Sequence, residues 1–163
     1  MSDSIFEKIN IFYLLGIDAL PKDEENKFVN DMTQIVMGNG LADALQKEKI
    51  STDVYKKLLE ILDEDKNSPK ASDEIKIQRY IMDNIPNIKT YLTDATNKFK
   101  QQALEEQLKE VESKLDSIED ETERNYFKNL ITNLRKSITE NSEIDFFENH
   151  KLYTDLKVKY NLD

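Results

Sequence analysis

The chain contains no cysteine. A disulfide framework, thiol catalysis and a Cys-ligated zinc site are therefore excluded. Glycine and proline are scarce, three of each in 163 residues. So little turn chemistry does not suit a many-stranded β fold and favours helices. The three glycines, Gly16, Gly38 and Gly40, do not fall in the frame of a phosphate-binding loop. No apolar run approaches the ~20 residues that a bilayer-spanning helix needs.

Positive charge is also in deficit. Lys and Arg total 23 against 33 Asp and Glu, a formal net charge of -10. Nucleic-acid binding depends mainly on neutralising phosphates, so the field of the whole chain opposes it. An anionic membrane is disfavoured for the same reason. The expectation is no nucleic acid and no membrane. In MSDSIFEKINIFYLLG, Asp3 stands where a secretory signal carries basic residues, and Glu7 and Lys8 interrupt the apolar stretch. The cytoplasm is the expected location.

What the chain does have is helical periodicity. Ile5, Phe6, Ile9, Phe12 and Tyr13 predict a helix over residues 3–15, with Ser4 or Ser2 as its cap and Gly16 as its left-handed stop. Pro21 and the acids Asp23, Glu24 and Glu25 announce a second helix, with Phe28, Val29, Met32, Ile35 and Val36 as its buried stripe. Gly38-Asn39-Gly40 predicts a kink or joint there, because each glycine weakens a helix by up to ~1 kcal/mol relative to alanine.

Ser51, Thr52 and Asp53 cap a third helix to about Leu62, with Val54, Leu58, Leu59 and Leu62 inward. Residues 63–71 read as a loop. Ser72 then caps a helix whose apolar set is Ile75, Ile77, Tyr80, Ile81 and Ile85.

The organising stretch is residues 85–118. After Ile85-Pro86-Asn87 it has no glycine or proline, so nothing in it stops a long helix. Leu104, Leu108, Val111, Leu115 and Ile118 follow the 4-3-4-3 spacing of a coiled-coil seam. Glu105 with Lys109, Glu110 with Lys114, and Asp120 with Arg124 have the spacing of acid-then-base pairs on a solvated face.

Ser117 to Thr122 reads as a reversal. Tyr126, Phe127, Leu130, Ile131, Leu134 and Ile138 then make a second stripe that packs back antiparallel. One helix running on to Ile138 is the alternative. Asn141 and Ser142 end that element, and a terminal segment carries Ile144, Phe146, Phe147, Leu152, Tyr153, Leu156 and Tyr160. The expected fold is all-α with six to seven helices. Residues 1–85 form an N-terminal helical bundle, and residues 86–163 an antiparallel helical hairpin with a terminal helix. The two parts can also form one continuous domain.

Leu14-Leu15-Gly16-Ile17-Asp18-Ala19-Leu20-Pro21, the acids after it and Phe28 resemble the opening of a small all-helical family of reduced-genome, uncultivated bacteria. The Asn84-Ile85-Pro86-Asn87 turn into a charged helix is similar too. The resemblance covers about the first two thirds of the chain. It implies a helical fold, no assigned function, and no catalytic or binding residue to carry over. Gly38-Asn39-Gly40 departs from the unbroken helix it implies.

Two constellations point to function. Counted from Asp63, oxygen donors Asp63, Asp65, Asn67 and Glu74 fall at positions 1, 3, 5 and 12 of an EF-hand-like loop. Calcium is the cofactor such a loop would take. Ser68 replaces the glycine of its sharp turn, and Lys70 replaces the apolar anchor. The acidic end of a helix followed by a proline-containing loop accounts for the same residues.

The second constellation is the apolar pair of stripes, Leu104, Leu108, Val111 and Leu115 with Tyr126, Phe127, Leu130 and Leu134. A two-helix arm buries little of these stripes by itself, so they want a third surface: the N-terminal bundle, a second copy, or a partner helix. His150, the only histidine, has no nucleophile motif beside it and reads as an exposed residue of a terminal helix. The reading is a non-enzymatic interaction module, an adaptor or scaffold subunit. A calcium-responsive module is the alternative.

Overall fold

A computed structural model of the chain describes residues 4–17, 20–67 and 71–162, with the side chains of residues 64–67 and 71–74 outside that description. Among the described residues there are α-helices and short 3-10 turns and no strand. No helix among the described residues is long and apolar enough to cross a membrane. The expected all-α class is what the chain adopts. The helices are α1 (Ile11–Leu15), α2 (Lys22–Lys47), α3 (Thr52–Asn67), α4 (Ala71–Asn84), α5 (Ile88–Lys114), α6 (Glu121–Thr139) and α7 (Glu143–Lys159).

The chain divides into two compact units, residues 21–96 and residues 1–20 with 97–163. This corrects the expected boundary after residue 85. The boundary falls inside α5, and the N-terminal segment belongs with the C-terminal helices.

In the unit of residues 21–96, the core is Ala44, Leu58, Ile77, Ile81, Ile85 and Ile88, flanked by half-buried Met37, Leu41, Val54, Leu62 and Leu92. Pro21 precedes α2, and Asp23, Glu24 and Glu25 occupy its first turn, where carboxylates favour the positive helix end. Of the two arrangements expected at Gly38-Asn39-Gly40, two helices with a joint are excluded, and α2 runs through as one helix.

Gly40 has a packing reason. A Cβ built on it would lie 2.8 Å from Leu92 Cδ2, 3.2 Å from the Tyr91 carbonyl oxygen and 3.3 Å from Leu92 Cα. Only a glycine lets α5 approach this closely. Beside that crossing, the Glu48 carboxylate accepts from the Tyr91 hydroxyl at 2.8 Å and from Asn87 Nδ2 at 3.1 Å. These two bonds hold its pKa below the ordinary carboxylate range.

In the other unit, α5 from Asn97, α6 and α7 form a three-helix bundle that the N-terminal segment caps. α6 runs antiparallel to α5, as the pairing of Arg135 with Glu105 and of Lys128 with Asp116 shows. The reversal lies where expected. A 3-10 turn at Leu115–Ser117 leads to extended Ile118, and the Asp120 carboxylate caps α6 by accepting from the Thr122 and Glu123 amides. A single helix through to Ile138 is thereby excluded.

Asn141, at φ 53°, turns the chain into α7 and accepts the Ile5 amide at 2.8 Å. The expected helix over 3–15 is instead a 3-10 turn at Ile5–Glu7 and the short α1, capped by Asn10 and ended by Gly16 at φ 66°. The break has a simple cause. Ile9 and Ile11 are both buried, and a continuous helix would point them to opposite sides.

Candidate functional site

The apolar seam expected to meet a partner is core. Leu104, Leu108, Val111, Leu115, Phe127, Leu130 and Leu134 are all buried, and Tyr126 alone is exposed. Their third surface is intramolecular. α7 places Phe146 and Tyr153 on the hairpin, with Tyr153 packed edge-on against Phe127 at 5.8 Å between centroids. The N-terminal segment adds buried Ile5, Phe6, Ile9, Ile11 and Leu14. Covering the stripes this way removes all of them but Tyr126 from a partner's reach, which corrects seven of the expected interaction residues.

Charges along the hairpin also pair differently from the sequence reading. The Glu110–Lys114 pair is made at 2.9 Å. Glu105 instead turns to Arg135, which donates to it at 2.8 Å and to Glu112 Oε2 at 2.9 Å. Glu105 and Glu112 lie two turns apart on α5 and bracket one guanidinium of α6. The bonds lower the Glu112 pKa and raise that of Arg135. Asp120 serves as a helix cap.

The EF-hand-like reading meets a backbone that does not suit it. An EF-hand loop leaves the helix at its first position, whereas α3 stays helical through Asn67 and α4 begins at Ala71, ahead of the expected cap Ser72. Asp63 is exposed on α3. The side chains of Asp65, Asn67 and Glu74, and all of Ser68, Pro69 and Lys70, lie outside the described residues. Among the described residues there is no group of three or more His, Asp or Glu placed to hold a metal.

An apolar hollow missed by the sequence reading lies within the unit of residues 21–96. Thr33, Gln34, Met37, Gly38 and Leu41 of α2, Leu62 of α3, and Ile77, Gln78 and Ile81 of α4 line a groove of about 360 Å³. Gly38 keeps it open, since a Cβ there would meet nothing within 4 Å.

The rims are apolar as well. At ~100° per residue, Ile35 lies about 60° beyond Gly38 on the side away from buried Ala44. Ile75 and Met82 lie within about 60° of Gln78, away from Ile77 and Ile81. These three rim residues are exposed at 48%, 60% and 38%. Two expectations of burial are corrected here. Of the α2 stripe only Val36 is buried, and Leu59 and Ile75 are exposed. The sequence does carry a signal for the groove, namely more apolar positions on α2, α3 and α4 than one core face holds.

His150 is likewise corrected from exposed to buried, at 2%. Its Nε2 lies 2.9 Å from the Leu14 carbonyl oxygen, and Phe146 stacks on the ring at 5.5 Å. Burial pushes its pKa below the usual histidine range. Compared with known proteins, the chain matches no family model, no curated protein and no solved structure.

Proposed function

We propose that the chain is a non-enzymatic helical interaction module, an adaptor or scaffold subunit, that receives the apolar stripe of a partner protein's helix in the groove of α2, α3 and α4. The observation that carries the reading is the open apolar groove, on whose helices Ile35, Ile75 and Met82 are also exposed. An amphipathic helix laid into such a groove buries residues at i, i+3, i+4 and i+7. Fully burying one Ile or Met side chain contributes about 1.5–3 kcal/mol, so the rims reward a partner that the closed hairpin core cannot. Thr33, Gln34 and Gln78 give the lining a neutral polar edge, suited to fixing register.

The test uses Gly38. Leucine at this position adds bulk to the groove lining and replaces a poor helix former, and its Cβ meets nothing within 4 Å. A photo-crosslinker is placed at Gln34 or Gln78 in native lysate, with light scattering to report self-association. A discrete adduct or dimer that Gly38→Leu abolishes, with the circular dichroism unchanged, supports the reading. A strict monomer without adduct, or an adduct indifferent to Gly38→Leu, removes it.

A further inference from the structure

His150 is the buried titratable ring of the α5–α7 bundle, and its two nitrogens are treated unequally. A carbonyl only accepts, so the 2.9 Å contact with Leu14 places the hydrogen on Nε2 and leaves a lone pair on Nδ1. Nδ1 is buried and has no hydrogen-bond partner among the described residues. Proteins rarely leave a buried polar nitrogen in that state. A proton arriving there would bring a charge and a second N–H with nothing to receive it.

The surroundings offer the proton no help. From α7 itself, Lys157 repels an imidazolium, and Tyr153 contributes a ring at 6.0 Å. From α1, Tyr13 lies at 5.1 Å. α5 brings neutral Gln107, engaged by the Tyr153 hydroxyl, and α6 brings Phe127 behind Tyr153. Glu110 of α5 lines the neighbouring hollow with Lys157 and does not bond the imidazole.

We infer that His150 is an acid-sensitive latch, and that a proton on Nδ1 releases the N-terminal segment, residues 4–16, from α5 and α7. Water must reach Nδ1 for the charge to be tolerated, so one wall of the nest has to open. α7 is tied along its length to α6, through Phe127 with Tyr153 and Glu123 with Lys159. The opposite wall is a 3-10 turn and a five-residue helix whose outer ring, Tyr13, is already 39% exposed.

The other ties of this segment do not titrate as a histidine does. The Ile5 amide donates to Asn141, Lys100 donates to the Phe6 carbonyl, and Gln107 donates to the Leu15 carbonyl. Glu7 and Glu143 hold further contacts through Asn97 and Lys8. His150 is the chain's one histidine and therefore sets the response to mild acid. The released population rises up to tenfold for each pH unit below histidine's ordinary ~6.5, until the docked ring also takes the proton.

With one histidine in the chain, the imidazole signal in a proton–nitrogen NMR spectrum of the full-length protein is unambiguous. The expected result at pH 7.5 is the Nε2–H tautomer. On acidification the ring should titrate below 6.5, and the amide signals of residues 5–15 should move with the same midpoint while those of α6 hold still. His150→Gln keeps a donor for Leu14 and cannot take the proton, so its segment signals should not change between pH 7.5 and 5. An ordinary histidine midpoint with unmoved segment signals would overturn the latch. So would loss of all amide signals together, or an acid response that persists in His150→Gln. If that variant does not fold, the wild-type titration decides alone.

Discussion

Gly38 and Gly40 are two residues apart on one helix, and the same substitution should act on them with opposite sign. Alanine in place of a mid-helix glycine stabilises by about 0.5–1 kcal/mol, chiefly because glycine loses more backbone freedom on folding. At Gly38 nothing opposes that gain, since the added Cβ has no neighbour within 4 Å. At Gly40 the Cβ meets the Tyr91 carbonyl oxygen at 3.2 Å and Leu92 Cα at 3.3 Å, and both are backbone atoms that cannot rotate away. Leu92 Cδ2, at 2.8 Å, can move by changing rotamer. Overpacking of this kind costs about 1–3 kcal/mol, because α2 and α5 must separate by a few tenths of an ångström. The net expectation is a loss of about 0–2 kcal/mol for Gly40→Ala, and a gap of about 1–3 kcal/mol between the two variants. With a urea slope near 1–3 kcal/mol per molar, that gap separates their midpoints by roughly 1 M. Methyl signals of Ile81 and Ile85 report the unit concerned. A Gly40→Ala midpoint equal to or above that of Gly38→Ala would refute the close-approach argument.

Leu108→Asp should do more than weaken an interface. Leu108 is 0% exposed, and an unpaired carboxylate there should cost more than about 4 kcal/mol. The expected result is loss of the dispersed His150 and Tyr153 ring signals at every protein concentration. A folded monomer would contradict the assignment of the seam to the core. Asn141 combines a positive φ with the bond to Ile5. Asn141→Gly should lose about 1 kcal/mol for the bond, and Asn141→Ala about 1–2 kcal/mol more for the left-handed backbone. Equal urea midpoints for the two variants would count against this division.

Helix positions were legible because periodicity, caps and stops are local. Asp120 and Gly16 each act on the few residues beside them, and the sequence reading placed those breaks, and the one at Asn141, correctly. Faces were less legible. The pattern Ile5, Phe6, Ile9 is compatible with a helix until Ile11 and Leu14 are also seen to be buried, and that burial depends on helices more than 80 residues away. Gly40 reads as a helix weakness in isolation and becomes a packing requirement only beside Leu92. The buried state of His150 follows from Leu14, 136 residues distant, and nothing near it in sequence announces this. The groove escaped for a related reason: apolar residues on α2 and α4 were assigned to a core, and their surplus over one face is what the groove and its rims consist of.

The chain order of the two units bears on how the protein folds during synthesis. Residues 21–96 are contiguous, so that unit has all its residues once α5 has begun to emerge. The other unit is split in the chain, and Ile5 waits for Asn141. At 5–20 residues per second the 136-residue interval lasts roughly 7–27 s. Throughout it, Ile5, Phe6, Ile9, Ile11 and Leu14 have no seat on α7. A nascent chain therefore carries an apolar N-terminal segment that is open to chaperones or to capture by another copy of α5–α7. The bond from Ile5 to Asn141 closes a loop of 136 residues.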